Sequence, residues 1–270
     1  MIRFVLLLIT GLFSACENAD SNASSGISDS GTHSLFNTKQ VKDSSLIDSV
    51  ALGIIFKPTI DYTQSRKKTE KQRLDFQNHY KELTDMVEKR SLLDSAGRFL
   101  THALINSIVP HWYGMVWDFN GYSETPGKGT VACGYFVSTT LKHAGFNINR
   151  FKMAQQAGYY EALTLQDDSL LTIIDNQLGI GNKEICKRIK PLLKDGLYFI
   201  GLTCHVGYLY VKSGEPYFLH SNYITGYVMI EKAEYSEAFT SSIYIIADIT
   251  HNPGLIEKWI TGEEVVVITN

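Results

Sequence analysis

The sequence predicts an α+β fold in which helices come first and an antiparallel β-sheet follows. Before residue 193, apolar residues recur mainly at the three- and four-residue spacing of helices. From Leu197 onward, short runs of β-branched and aromatic residues alternate with turn sequences such as KSGE at residues 212–215. Because helices and strands are segregated along the chain, we expect a helix that begins at Cys133 to pack on the sheet.

Composition sets the size of the core and excludes one class of partner. The chain has 270 residues, of which 44 % are hydrophobic, enough for one substantial core or for a core with an added helical lobe. The formal net charge is −3, so the balance of charges gives no indication of a nucleic-acid partner.

The first residues indicate export. A basic residue, Arg3, precedes an apolar run at residues 4–13 that is too short to span a bilayer permanently. The small residues Ser14 and Ala15 then stand directly before Cys16, which resembles a bacterial lipoprotein signal. That resemblance implies a signal peptide of residues 1–15 and a membrane anchor on an acylated Cys16. An ordinary cleaved signal peptide is the alternative, and both place the protein in the bacterial cell envelope, on the periplasmic or cell-surface side.

Two further segments precede the cysteine helix. Residues 16–45 are rich in Ser, Asn, Asp, Gly and Thr, which predicts a flexible tether because such a segment buries too little apolar surface to become ordered. Residues 46–110 form an N-terminal helical segment with one predicted helix at 61–88 and a second at 91–109, before Pro110. The apolar stripe of the first helix consists of Phe76, Tyr80, Leu83 and Val87. The inward positions of the second are Leu93, Phe99, Leu100, Leu104 and Ile108.

Residues 111–270 form the main predicted domain, with Cys133 where a glycine-rich loop turns into a helix. The unpaired N–H groups and the dipole at a helix start favour a thiolate, so we expect a lowered pKa for Cys133. A cysteine in an apolar helix can equally be a small core residue. The other predicted helices cover 151–163 and 182–193, and the predicted strands cover 197–202, 205–211, 216–223, 226–230, 243–249 and 265–269.

Two histidines on adjacent predicted strands favour the functional interpretation of Cys133. Strand alternation puts His205 and Gly207 on one face, where the glycine leaves room for the cysteine helix. The same rule puts His220 and Asn222 on one face of the next strand, and the hairpin brings them near His205. A thiol, an imidazole that deprotonates it and a polar group that orients the imidazole make an activated nucleophile.

These motifs resemble the papain-like, NlpC-type superfamily of cell-wall peptidases and amidases. The resemblance rests on ACGYFV at residues 132–137, HVGYLYV at 205–211 and YFLHSN at 217–222, and it extends over residues 112–223. It implies a papain-like fold with Cys133 as nucleophile, His205 as general base and His220 as orienting residue. Two departures are an alanine, Ala132, where the family carries an acidic residue before the cysteine, and a longer spacing from Tyr113 to the cysteine.

The resemblance also implies an activity. The expected reaction is amide hydrolysis through a thioester, without cofactor or metal, on a peptidoglycan stem peptide or another amide. The residues expected to bind substrate are Trp112, Tyr113, Asp118 and Asn222. Tyr113 would border the oxyanion site, and Asp118 would meet an ammonium group, although an ordinary loop carboxylate is the alternative for Asp118.

Two other functions fit the same residues. One thiol and two imidazoles are a plausible zinc ligand set. A binding lipoprotein could keep the papain-like groove without turnover. Separately, Cys186 and Cys204 could form a disulfide in an oxidising compartment, and strand alternation points Cys204 away from His205.

Overall fold

A six-stranded antiparallel sheet is the central element of the computed structural model, which describes Ile47 and residues 49–270. The strands are β1 Asn147–Ile148, β2 Thr172–Asp175, β3 Gly196–Gly201, β4 Val206–Lys212, β5 Glu215–Asn222, β6 Tyr227–Lys232, β7 Ile243–Asp248 and β8 Glu264–Val265. The sheet order is β2-β7-β3-β4-β5-β6, and β1 and β8 form a separate parallel pair. The predicted signal peptide, the acylation of Cys16 and the tether lie outside the described residues.

The helices lie mainly before the sheet in sequence, which confirms the α+β prediction. They are α1 Ser49–Leu52, α2 Tyr62–Glu82, α3 Met86–Ala103, α4 Cys133–His143, α5 Arg150–Ala154, α6 Gly158–Leu165, α7 Asn182–Ile189 and α8 Pro253–Thr261. Within the described part of the chain, no helix is both long enough and apolar enough to cross a bilayer.

The predicted boundary between the first two helices was wrong. The first helix ends at Glu82. A new helix starts after Asp85, because the side chain of Asp85 accepts hydrogen bonds from the N–H groups of Val87 and Glu88. Val87 is therefore exposed rather than part of an apolar stripe. At its other end α3 continues through a π-helical turn, Leu104–Ile108, which is buried as predicted.

The predicted helix at 151–163 is in fact two helices, α5 and α6, separated by residues 155–157. A tight contact at the start of α6 accounts for the break: a Cβ on Gly158 would lie 3.0 Å from the Cα of Gly201 in β3. The backbone of α6 can approach the sheet this closely only with glycine at both positions. The strand predicted at 265–269 is shorter than expected, and the edge strand β2 was not predicted at all.

The helix that begins at Cys133 packs across β4 and β5, as predicted. Its side chains Phe136 and Val137 belong to one apolar cluster with Tyr208 and Leu219. Thr140 adds a polar contact, since its Oγ1 lies 2.7 Å from the hydroxyl oxygen of Tyr208. The opposite face of the sheet packs against α7, with Ile185, Ile189, Leu209, Phe218 and Phe239 in a second cluster.

Candidate functional site

Cys133 is the first residue of α4, and the loop before it is tied to the sheet. The Ser221 hydroxyl of β5 donates a 2.7 Å hydrogen bond to the carbonyl of Val131, and the N–H of Ala132 donates to the carbonyl of Gly121 at 2.8 Å. Gly121 is required by this approach, because a Cβ there would lie 2.5 Å from the nitrogen of Val131. Val131 and Ala132, the two residues before Cys133, are thus fixed by hydrogen bonds to β5 and to the preceding loop.

Burial controls the acidity of the Cys133 thiol. It raises the pKa to about 11, and the carboxyl group of Glu161 acts in the same direction. The N–H of Val206, together with those of Gly134 and Cys133, points at the sulfur and lowers the pKa by less. The predicted lowered pKa was therefore wrong: the N–H groups at the helix start act as expected, but desolvation of the thiolate outweighs them. The residue still keeps partial contact with solvent.

His205 and His220 form a buried imidazole pair. Nε2 of His205 lies 2.8 Å from Nδ1 of His220, and the ring planes are 75° apart. Burial lowers both pKa values, that of His220 to about 3, and the neighbouring His220 lowers that of His205 further. Both rings are consequently uncharged at neutral pH.

Gly207 makes room for this pair rather than for the cysteine helix. A Cβ at Gly207 would lie 2.7 Å from Cε2 of Phe218 and 2.9 Å from Cβ of His220. The ring of His220 stacks on that of Phe218, with centroids 3.9 Å apart and planes 17° apart. The predicted function of Gly207 as space for the helix was wrong, because the alternating side chains of β5 occupy that space.

Two neighbouring residues, Val206 and Tyr223, link the Cys133 thiol to the imidazole pair. The N–H directed at the Cys133 sulfur belongs to Val206, the residue after His205. The ring of Tyr223 lies 5.1 Å from that of His205 between centroids, and a charge on Cys133 contributes to the raised pKa of Tyr223, after burial and Glu237.

Among the hydrogen bonds of residue 47 and residues 49–270, none joins the side chains of Cys133 and His205. Since Nε2 of His205 is bonded to His220, Nδ1 is the ring nitrogen left for a second partner. Catalytic hydrogen bonds are often long before substrate binds, so this arrangement is compatible with a nucleophile and its base.

Glu231 joins the site, and sequence reasoning missed it. Its Oε1 lies 3.1 Å from Nε2 of His220 and also accepts from the hydroxyl of Ser236 at 2.6 Å. The predicted strand ended at Ile230, one residue short of Glu231. The signal was nevertheless present: β6 pairs antiparallel with β5, so Glu231 stands opposite Phe218 and diagonal to His220.

Glu161 is a second residue that sequence reasoning missed, and it lies close to the first turn of α4. It is fully buried on α6, and its Oε2 has no hydrogen-bond partner. Burial raises the pKa of this carboxyl group well above the usual range, because the charged form is poorly solvated there. Its Oε1 lies 3.2 Å from where a Cβ on Gly134 would stand, which places it against the first turn of α4.

Two of the residues predicted to bind substrate, Trp112 and Tyr113, have their polar groups enclosed within the protein. Trp112 has no exposed surface and donates from Nε1 to the hydroxyl of Tyr62 at 2.9 Å, so its predicted substrate contact was wrong: it is a core residue. The hydroxyl of Tyr113 is enclosed without a partner, and its ring lies 5.2 Å from that of Phe56. This enclosure keeps the Tyr113 hydroxyl from a substrate oxyanion.

The side chains of Asn222 and Asp118 both accept hydrogen bonds from backbone N–H groups of turns. Oδ1 of Asn222 accepts from the N–H groups of Ile224 and Thr225, so this buried side chain shapes the β5–β6 turn. Asp118 is exposed and accepts from the N–H of Asn120 at 2.8 Å, as an ordinary loop carboxylate does.

The disulfide that Cys186 and Cys204 could form is not present. Cys186 is a free, buried thiol on α7, packed within the second apolar cluster, so it forms no disulfide with Cys204. In the described part of the chain, no group of three or more His, Cys, Asp and Glu side chains is arranged to hold a metal ion.

No protein-family model, characterised protein or solved structure matches the chain. The site is therefore interpreted from its own geometry, as a cysteine at a helix start beside a buried, hydrogen-bonded imidazole pair.

Proposed function

We propose that the chain is a papain-like cysteine hydrolase of the NlpC type, which cleaves an amide bond in the bacterial cell envelope. The observation that carries the proposal is the combination of Cys133 at the start of α4, the Val206 N–H directed at its sulfur, and the 2.8 Å contact between His205 and His220. The antiparallel sheet that packs against the cysteine helix also carries His220 on β5, and His205 directly precedes β4, an arrangement that is compatible with a papain-like fold.

The chemistry follows from these groups. Nδ1 of His205 takes the proton of Cys133 as the sulfur attacks the amide carbonyl, and the resulting imidazolium protonates the departing amine. The backbone N–H of Cys133, which points at the sulfur at rest, is the donor at the helix start that stabilises the oxyanion once the sulfur has attacked. Water then attacks the thioester, His205 accepts its proton, and the thiol is restored. His220 takes no part in bond making; it holds the orientation of the His205 ring.

Export and a peptidoglycan stem peptide as substrate remain proposals from the sequence. They rest on the apolar run at residues 4–13, the cysteine at position 16 and the resemblance of residues 112–223 to cell-wall hydrolases. Mass spectrometry of protein from the native membrane tests the anchor and should find a diacylated or triacylated peptide that begins at Cys16. An unmodified peptide that reads through Ala15 into Cys16 in the mature protein would contradict it.

The activity is tested by digesting purified peptidoglycan with the full chain in detergent and identifying new amine and carboxyl termini by mass spectrometry. Wild type should release them and Cys133→Ala should not. Cys186→Ala is the matched control, because it removes the other free thiol of the described residues without touching the site. A wild-type protein that produces no new termini, or a Cys133→Ala variant that still does, would refute the proposed hydrolase.

A binding protein without turnover is the second candidate. The raised pKa of Cys133 favours it, because a thiol is a weak nucleophile. A thiol-reactive amide mimic separates the two: a hydrolase should be labelled at Cys133 during turnover, whereas a binding protein should retain an intact amide ligand with equal affinity in wild type and Cys133→Ala.

The zinc alternative is not favoured, since Nε2 of His205 and Nδ1 of His220 are hydrogen-bonded to each other. Metal analysis of the purified protein tests it directly.

A further inference from the structure

Glu231 is the end point of a hydrogen-bonded chain that begins at His205. Its Oε1 receives three contacts: Nε2 of His220 at 3.1 Å, the hydroxyl of Ser236 at 2.6 Å and Nδ2 of Asn222 at 3.4 Å. The Glu231 side chain is 21 % exposed and that of His220 is fully buried, so the contact between them is largely shielded from water. Because an unpaired polar group is costly in such a shielded place, each donor here must face an acceptor, and the direction of each hydrogen bond follows from its partners.

The orientation of Asn222 establishes that Oε1 of Glu231 accepts. Oδ1 of Asn222 already accepts from the N–H groups of Ile224 and Thr225, at 2.7 and 3.1 Å. The amide nitrogen must then be the atom that faces Glu231, and an amide nitrogen only donates. Oε1 carries no proton whether or not the carboxyl group is ionised, because a proton would meet that N–H.

The accepting role of Glu231 then determines which nitrogen donates and which accepts in both histidine rings. Since Oε1 accepts, Nε2 of His220 carries the proton, and in a neutral imidazole Nδ1 is then an acceptor. Nε2 of His205 lies 2.8 Å from that acceptor and must donate to it. A neutral His205 with its proton on Nε2 has a bare lone pair on Nδ1.

We infer that Glu231 is a positioning residue that fixes the tautomers of His220 and His205 and so leaves Nδ1 of His205 unprotonated as the base for Cys133. The use of that lone pair as a base rests on the proposed function, whereas the tautomers do not. The neutral state of both rings follows from their enclosure, since His205 is 5 % and His220 0 % exposed. Without Glu231 nothing described on β6 would hold the proton on Nε2 of His220.

Long-range proton–nitrogen NMR correlation of the ¹⁵N-labelled full chain reports the tautomer of each buried histidine directly. In wild type both His205 and His220 should carry their proton on Nε2. Glu231→Gln should preserve this pattern, because its amide oxygen can accept from the same donors. Glu231→Met removes the acceptor and should give a mixture of tautomers at His220. Glu263→Gln, at an exposed position, is the control that should change nothing.

A proton on Nδ1 of His205 in wild type would overturn the inference, and so would unchanged tautomers in Glu231→Met. The wild-type spectrum alone decides if the Met variant does not fold. A kinetic measurement then separates the two proposals: Glu231→Met should slow turnover about 10- to 100-fold, as loss of an orienting partner does elsewhere, while Glu231→Gln should recover most of it. The expected tautomers in a protein without hydrolase activity would support the inference and refute the hydrolase. An active enzyme with the other tautomers would refute the inference alone.

Discussion

Burial of His220 should make the protein lose stability in mild acid, and the loss can be calculated. The perturbation is a change from about pH 7.5 to about pH 5, applied to wild type and to His220→Gln. Folding lowers the pKa of His220 from 6.5 to about 3 by burial. A glutamine at the same position does not titrate, and its side-chain oxygen can still accept the proton of His205.

The sign follows from which state binds the proton more readily. The unfolded chain protonates His220 as the pH falls below 6.5, whereas the folded chain resists until about pH 3. Stability is therefore complete above pH 6.5 and is lost progressively as the pH falls toward 3. About pH 5 lies roughly 1.5 units below the unfolded value, and each unit corresponds to about 1.36 kcal/mol, so His220 alone should account for about 2 kcal/mol.

Urea denaturation of the full chain at the two pH values measures this difference. Wild type should lose about 2 kcal/mol more than His220→Gln on acidification. Burial also lowers the pKa values of His111, His143 and His205, but these residues are present in both proteins and the burial contributions cancel. The effect of His220 on the pKa of His205 does not cancel and is counted with the contribution of His220. Equal losses in the two proteins would show that His220 is not held neutral by the fold.

Three further substitutions test contacts between elements of the fold. Arg73→Met should destabilise the fold by about 2–4 kcal/mol in urea denaturation, because Nη1 of Arg73 donates to two buried carbonyls at the end of α8, and Arg73→Lys should recover part of this. Gly201→Ala should cost about 1–3 kcal/mol in thermal denaturation, since its Cβ would stand 2.9 Å from the backbone of Gly158; an unchanged melting temperature would contradict that contact. Ser221→Ala leaves the carbonyl of Val131 without its donor and should lower the free energy of unfolding by about 1–3 kcal/mol in urea denaturation. The fractional loss of turnover should exceed the fractional loss of stability, because Cys133 follows Val131 by two residues.

The hairpin of β4 and β5 could be predicted because its signal is local. Strand alternation and the short turns between β3 and β6 set both the faces and the register, so the approach of His205 and His220 followed from two stretches of sequence. The helix that begins at Cys133 was likewise indicated by its own apolar spacing.

What the sequence did not reveal depends on contacts distant in the chain. The break between α5 and α6 follows from the approach of Gly158 to Gly201, and Trp112 is buried in the main apolar cluster with its Nε1 bonded to the distant Tyr62. Glu161 has no motif around it, and its importance arises only because α6 folds against the first turn of α4. Patterns of apolar spacing contain no information about such approaches.

The pKa directions around Cys133 change the kind of nucleophile that the site contains. A helix start by itself favours a thiolate that exists before substrate binds. Here burial raises the pKa of the Cys133 thiol to about 11 and lowers that of His205, so both groups are neutral at rest. With a pKa of about 11, about one molecule in ten thousand carries a thiolate at neutral pH. Reactivity then has to come from proton transfer to His205 during attack, which requires the lone pair of Nδ1 to be available at that moment. A fixed tautomer therefore matters more in this site than in one with a preformed ion pair, and the chain from His205 through His220 to Glu231 supplies it.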